Sequence, residues 1–494
     1  MRPKPALEGR ERALLWTGAL LVAAAFVARP VLEATYFHQS WWINWSWLDQ
    51  FARQFLAGDL YPQWLEQSHG GLGAPSFYFY PPLTFYAGIP FIALGFSTDQ
   101  ALVAVNALIV VISALTAHAW FRAGGRRALV PALLYASAPF FLFDLLYRGA
   151  IAEQMAYAWL PLMGLGILRA HQRRGGHVAA IAVALVLLSH LLIAMVALIL
   201  LAIPYALSLS RRPGDWWRMG WPFAVGLLIS AVFVLPAIAL EPYRSSEVLW
   251  GRDYFKPAYW NLLLRRWDDF IAPLVAILAL GAIGAAWMWV RTKHWAAALA
   301  FGCALVSLGA VPLFDLPLLS RIQFPFRASG FVTLWTAFAL ASVAKSDRTL
   351  WAAAALAHLM LPVMAFTDVR EPSLDPDFIR ANHADVVEML PPGTIKDDWT
   401  GNGREDAVAV RRFAKADPLV VPRFYFPIWV AECGGRRMDV TQDTSGLIRL
   451  PEAGCSIGRR TLPVEWWARG LSLLGLALLA LIVTRARRRS PVRR

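Results

Sequence analysis

Uncharged apolar runs of about 18 to 24 residues recur along almost the whole chain, and a run of that length is what a helix needs to cross a bilayer. In hydrocarbon each backbone N–H and C=O must find its partner inside the segment, so such runs can only be helices. Charge is correspondingly sparse. Only 16% of the 494 residues are charged and 58% are hydrophobic, where a soluble chain carries about a quarter charged residues. The chain therefore reads as an α-helical polytopic membrane protein with about twelve spanning helices. The first run, Ala13–Val31, has no small-residue cleavage site in a clear position and is predicted to stay as the first helix.

Basic residues orient the helices. The net charge of +14 suggests nucleic acid only until its distribution is considered. Most Arg and Lys residues fall in short turns, as the positive-inside bias requires of cytoplasmic loops. With the amino terminus inside (Arg2, Lys4, Arg10, Arg12), the cluster Arg122, Arg126 and Arg127 must also be inside. Pro81–Phe96, short and opened by Pro81-Pro82, is therefore predicted to dip into or lie along the outer leaflet, and Ala101–Phe121 to span. The remaining predicted spans are Leu129–Leu146, Ile151–Leu168, Val178–His190, Leu192–Leu209, Trp221–Leu240, Phe270–Val290, Trp295–Leu313, Gly330–Val343, Trp351–Phe366 and Trp466–Thr484. This threading puts both termini in the cytoplasm.

Three parts follow. Residues 1–366 form a transmembrane domain with a long first outer loop, 32–100. Residues 367–463 form an external domain, and 464–494 hold the last helix and a basic tail. The external part is predicted to be small and mostly β, from strand-like stretches at Ala407–Phe413, Leu419–Tyr425, Trp429–Val430 and Gly446–Leu450 separated by turn residues. Ser373–Met389 has helical spacing. Cys433 and Cys455, the two cysteines of this domain, face an oxidising compartment in this topology and flank a pair of strands. A disulfide between them is expected; two free buried thiols are the alternative.

Ionisable groups at membrane depth are costly and mark function. Asp144-Leu-Leu-Tyr-Arg-Gly-Ala-Ile-Ala-Glu153 puts three charges at the outer mouth of adjacent helices. Asp144 and Arg148 are four apart and suit a pair on one helix face. Glu153 is either a site carboxylate or a cap at a helix start. His190, between two apolar runs, is either a packing residue or a site residue. Arg148, Arg244, Arg252, Lys256, Arg265, Arg266, Arg321 and Arg327 lie outside against the positive-inside bias. Nearby acids could neutralise several of them. Arg327, in Gln323-Phe-Pro-Phe-Arg327, has only Asp315 near it in sequence, and a guanidinium fork suits an anionic lipid headgroup. The first outer loop holds Glu33, His38, Asp49, Asp59, Glu66 and His69 without any known metal spacing. Gly70-Gly-Leu-Gly-Ala-Pro lacks the lysine and strand–helix context of a nucleotide loop.

The order of short motifs is more specific than any one of them. Ala57-Gly-Asp-Leu-Tyr-Pro-Gln-Trp64, Phe79-Tyr-Pro-Pro-Leu83, Tyr147-Arg-Gly-Ala-Ile-Ala-Glu153, Ser189-His190, Gln323-Phe-Pro-Phe-Arg327 and Phe424-Tyr-Phe-Pro-Ile-Trp429 follow one another before a final helix. This arrangement resembles, over nearly the whole chain, the bacterial integral membrane proteins labelled pyruvoyl-tetrahydropterin-synthase-related. That group looks like a branch of the GT-C glycosyltransferase superfamily, alongside oligosaccharyltransferases, protein mannosyltransferases and aminoarabinose transferases. The resemblance implies a GT-C-like fold in a bacterial inner membrane. It also implies transfer of a sugar from a polyprenyl-phosphate-linked donor to an envelope glycan, lipid or protein on the non-cytoplasmic face. Glu153 matches the acid of the second outer loop, and Arg148, His190 and Arg327 match recurrent positions. Tyr80 and His38 join them as candidate substrate contacts. The chain departs from the pattern in one place. Counting back from Gly58, the expected Asp-x-x-x-His falls on Ser40 and Asn44. Glu33, His38 or Asp49 replaces the missing acid, or the protein is a non-catalytic binding or assembly factor for lipid-linked glycans. A divalent ion such as Mg or Mn bridging acid and phosphate is compatible with the sequence but not required by it. A transporter would show internal repeats and broken helices at mid-membrane, and no repeat is visible.

Overall fold

A computed structural model describes residues 5–32, 40–246, 256–266, 271–317, 319–346, 348, 376–383, 385–394 and 417–488. Helices dominate. In chain order they are α1 (Pro5–Leu32), α2 (Trp41–Leu56), α3 (Leu83–Ala93), α4 (Thr98–Ala123), α5 (Leu129–Arg148, broken at Ser137–Ala138), α6 (Ile151–His171), α7 (His177–Ser189), α8 (Leu191–Leu209), α9 (Pro213–Ile229), α10 (Ala231–Ala239), α11 (Ile271–Thr292), α12 (Trp295–Leu308), α13 (Ser329–Val343), α14 (Pro376–Asn382) and α15 (Pro463–Arg488). Among the described residues, 8 helices are long and apolar enough to cross a membrane, or up to 9 if the bent pair α9–α10 is one span. The protein is thus a multi-pass membrane protein.

Several predicted segments change shape. The span expected at Trp221–Leu240 starts earlier, at Pro213, and bends by 71° between α9 and α10. Ser472 of α15 fits into that break. Its hydroxyl donates to Ile229 O at 2.9 Å and accepts from Val232 N at 2.8 Å, so the groups freed by the bend are satisfied by a neighbouring helix. α7 and α12 are shorter than a full crossing, at 13 and 14 residues. α3, at 11 residues, is also too short to cross. Trp351–Phe366 lies outside the described residues.

Basic clusters gather at one end of the helices. Arg126 Nε donates to Ser342 Oγ at 2.8 Å and Arg127 bonds the carbonyls of Ala341 and Lys345, which joins the turn after α4 to the end of α13. Glu11 accepts from Arg122 at 2.7 Å at the same end of α4. In the core α6 packs against α7 and α4, and α4 against α1. Gly166 allows this closeness: a Cβ there would come within 2.4 Å of the Ala179 backbone.

The late polar region holds six short strands, β1 (Val420–Phe424), β2 (Trp429–Cys433), β3 (Arg436–Asp439), β4 (Thr441–Gln442), β5 (Leu447–Arg449) and β6 (Ser456–Arg459). They form two antiparallel three-stranded sheets, β1-β5-β4 and β3-β2-β6. β3, β4 and β6 were not among the predicted strands, being short and polar. The expected strand at Ala407–Phe413 lies outside the described residues. Of Ser373–Met389, Pro376–Asn382 is helical and Val387–Met389 forms a single 3-10 turn. Gly434 and Gly435, with φ of 55° and 79°, make the β2–β3 turn that L side chains resist. Cys433 and Cys455 are joined by a disulfide with Cα atoms 4.5 Å apart. It ties β2 to the start of its partner β6.

This β region sits on the segment between α2 and α3. Trp64 packs edge-on to Trp429 at 5.1 Å, Tyr78 lies 4.9 Å from Phe426, and Phe424 N donates to Leu72 O at 2.8 Å. Glu66 pairs with Arg423 at 2.7 Å and with Arg459. Two motifs from opposite ends of the sequence, Ala57–Trp64 and Phe424–Trp429, therefore form one interface.

Candidate active site

The turn between α5 and α6 is built to bring Arg148 and Glu153 face to face. The last five residues of α5, Asp144–Arg148, form a wider π turn, a feature frequent at functional sites. Gly149 then reverses the chain at φ 61°. No other residue fits there without movement, because a Cβ would lie 2.6 Å from Trp41 N. The start of α2 closes over this turn. Ser40 N donates to Arg148 O at 3.0 Å, and Asn44 Nδ2 donates to Gly149 O at 2.9 Å.

Four charged side chains converge behind it, all nearly inaccessible. Arg148 Nη1 and Nη2 donate to Glu153 Oε1 and Oε2 at 3.1 and 3.2 Å. Arg327 Nε donates to Glu153 Oε2 at 3.0 Å. Arg148 also pairs with Asp144. Tyr157 Oη lies 2.9 Å from Glu153 Oε1 and 2.8 Å from Arg327 O, with one proton for the two acceptors. Glu153, 1% exposed, thus accepts from Arg148 on both oxygens and from Arg327 on one of them. With both carboxyls ionised, the charges of Asp144, Glu153, Arg148 and Arg327 sum to zero, which is the condition for keeping them in a dry interior. Arg327 Nη1 donates to Ile322 O, while its Nη2 keeps no partner among the described residues. Phe326 and Phe324 cover the arginines, with guanidinium carbons 4.9 Å from each ring for Arg148 and Arg327 respectively.

Two predicted site residues border the cluster. His190 Nδ1 accepts from Ile193 N at 3.3 Å, so a neutral ring carries its proton on Nε2 and can only donate from there. The charges of Arg327, Glu153 and Arg148 act on it. Tyr80 is also within their field, and its ring stands 4.5 Å from Trp47.

Asp49 belongs to a different network. Its carboxylate accepts from Arg53 Nε at 2.9 Å and Thr98 Oγ1 at 2.8 Å, and lies 3.1 Å from His383 Nε2. Burial alone would raise its pKa, but the hydrogen bonds from His383, Arg53 and Thr98 outweigh it and hold the carboxyl at about 2. None of these partners belongs to the Glu153 cluster. The reason is periodicity: Asn44 and Asp49 are five apart on α2, so they point to different sides. Glu33 and His38 lie outside the described residues. The structure does bring Ser40 and Asn44, where the first-loop acid was expected, against the Arg148–Gly149 backbone. Asn44 Oδ1 is buried there without a hydrogen bond.

Tyr157 and Asp385 stand outside the sequence motifs, while Phe324 and Phe326 belong to Gln323-Phe-Pro-Phe-Arg327 without a role of their own there. Tyr157 had a signal, being four residues after Glu153 on one helix. Asp385 had none. It accepts from Trp47 Nε1 at 2.8 Å, Ser68 Oγ at 2.6 Å and Ser76 Oγ at 2.7 Å, partners more than three hundred residues away, and so ties the late segment to α2 and the residues that follow it. Among the described residues, the His, Cys, Asp and Glu groups close enough to share a metal are Cys433, Glu452 and Cys455, and the two sulfurs there are bonded to each other.

No family model and no curated protein matches the chain. Among solved structures it is similar to ArnT from Cupriavidus metallidurans. In the apo state the identity is 17% and the TM-score 0.44, over 76% of this chain and 68% of that one. In the form bound to undecaprenyl phosphate they are 16% and 0.46, over 74% and 67%. It is also similar to the arabinofuranosyltransferase AftD from Mycobacteria, at 15% identity and TM-score 0.46, over 81% of this chain but 29% of that one. Function has to be read from the side chains.

Proposed function

We propose that the protein is a membrane glycosyltransferase that takes a sugar from a polyprenyl-phosphate-linked donor and passes it to an envelope glycan, lipid or protein acceptor on the non-cytoplasmic face of a bacterial inner membrane. The observation that carries this reading is the convergence of Arg148 and Arg327 on Glu153 at the helix ends opposite the basic clusters. Two forked cations held by one carboxylate, with Arg327 Nη2 unspent, form a receptor for a phosphate. The ordered motifs supply the class of donor.

In the reaction the acceptor oxygen bonds to the anomeric carbon as the bond from that carbon to the phosphate oxygen breaks. The electron pair leaves on the polyprenyl phosphate. Arg148 and Arg327 stabilise that developing charge, and His190 Nε2–H adds a donor. Phosphate bound to the arginines competes with Glu153 for their N–H groups. A Glu153 oxygen so released takes the acceptor's proton or orients its hydroxyl. The carboxylate is thus masked until the donor is in place.

A second reading has its own observation. Ser40 and Asn44 stand beside Gly149 where an acid was expected, which fits a protein that binds or helps assemble lipid-linked glycans without transferring sugar. One experiment separates the two. Lipid-linked intermediates are profiled in a deletion strain and in strains carrying Glu153→Gln, Asp49→Asn or Glu33→Gln. The transferase reading expects one polyprenyl-phosphate sugar to build up in the deletion and in Glu153→Gln. If all three variants restore the wild-type profile, that reading fails and the binding reading takes its place.

A further inference from the structure

The segment leading into α11 holds a cavity of about 420 Å3 lined by Ala258, Tyr259, Asn261, Leu264, Arg265 and Arg266. The Arg265 guanidinium lies 4.2 Å from the Tyr259 ring centre and 4.5 Å from that of Trp260, and among the described residues it bonds the carbonyl and hydroxyl of Tyr259. Neither Arg265 nor Arg266 has a carboxylate partner among the described residues, and no acid occurs from Lys256 to Arg266. The place in the fold is informative. Asn261 Nδ2 donates to Gly309 O at 3.3 Å, just past the end of α12, and α11 begins at Ile271. The cavity therefore sits where two apolar helices end, at the level where hydrocarbon gives way to headgroups. Beside the arginines Leu263 and Leu264 are 54% and 85% exposed. Guanidiniums with no carboxylate partner among the described residues, aromatic rings and exposed leucines at one level suit a membrane interface.

We propose that this cavity binds an anionic phospholipid, with Arg265 and Arg266 on its phosphate and Leu263 and Leu264 against its acyl chains. The site is separate from the Glu153 cluster and the proposal does not rest on the transferase reading. Trp260 stands edge-on to Phe324 at 5.2 Å and to Phe326 at 5.4 Å, the rings that cover Arg148 and Arg327. That aromatic wall divides the two groups of arginines. Lipid held on one side of it would brace the cover of the buried cluster.

The test is native mass spectrometry of the full-length protein in detergent with equimolar phosphatidylglycerol and phosphatidylcholine, comparing wild type with R265Q/R266Q. Wild type should retain phosphatidylglycerol preferentially, and the double variant should lose that preference by roughly tenfold, as two basic groups at a membrane surface allow. Equal retention of the two lipids by wild type would overturn the proposal, as would an unchanged preference in R265Q/R266Q. Displacement of the lipid by equimolar undecaprenyl phosphate would overturn it in favour of a carrier site. Displacement by inorganic phosphate alone would show a free-anion site instead.

Discussion

Removing two opposite charges from the Glu153 cluster should cost less than the two single removals added together. Glu153, Asp144, Arg148 and Arg327 are each nearly inaccessible and neutral only as a set. Glu153→Gln keeps the shape but leaves one uncompensated positive charge, and Arg327→Gln leaves one negative charge. Breaking a buried pair by removing one partner costs about 3–5 kcal/mol. The double variant is neutral again, so its loss should fall short of the sum of the singles by about 1–3 kcal/mol. Insertion should survive in all three, because the apolar length of the spans decides it. The measurement is thermal unfolding of the detergent-solubilised protein, with each single variant lowered by on the order of 5–10 °C. Unfolding of a protein this size is often irreversible, so the order of the variants is what is read. A double variant that melts as low as the two singles combined, or a Glu153→Gln protein that melts with wild type, would refute the neutral-cluster argument.

Further expectations concern the rest of the molecule. Topology is tested by cysteine labelling in whole cells: Leu60→Cys should react with an impermeant reagent and Gln172→Cys should not, and the reverse would undo the orientation. Gly149 is the wrong position for such a probe, since its φ is positive and a Cβ would strike Trp41. The disulfide closes 22 residues of sequence separation, so Cys433→Ser/Cys455→Ser should lose about 3 kcal/mol from the β region by the chain-entropy argument. Mass spectrometry that finds both cysteines alkylated without reductant would show no bridge to lose. Asp49, held at about 2 against an ordinary 3.8, contributes stability that is complete above pH 4 and is lost as pH falls toward 2. Its share is about 2 kcal/mol. Asp49→Asn should remove that acid-sensitive part, and an unchanged acid profile would show that the carboxylate is not held there.

Apolar run length and the placement of Arg and Lys were enough, from sequence alone, to mark nearly every described span to within a few residues. Both signals are local: a helix in hydrocarbon needs only its own residues to satisfy its backbone. The bend at Ser230 escaped because its compensation comes from Ser472, 240 positions from Val232. β3, β4 and β6 escaped because short polar strands have no apolar alternation and exist only by pairing. The candidate site divides in the same way. Arg148, Glu153, His190 and Arg327 could be picked from the sequence because charge inside apolar surroundings is rare and costly. Which of them share a cluster could not, since Arg327 is 174 residues from Glu153. Asp49 looked equivalent to Glu153 in one dimension. Only the turn of α2 showed that it faces His383 and Thr98 while Asn44 faces Gly149, because a helix separates residues five apart and the partners come from distant segments.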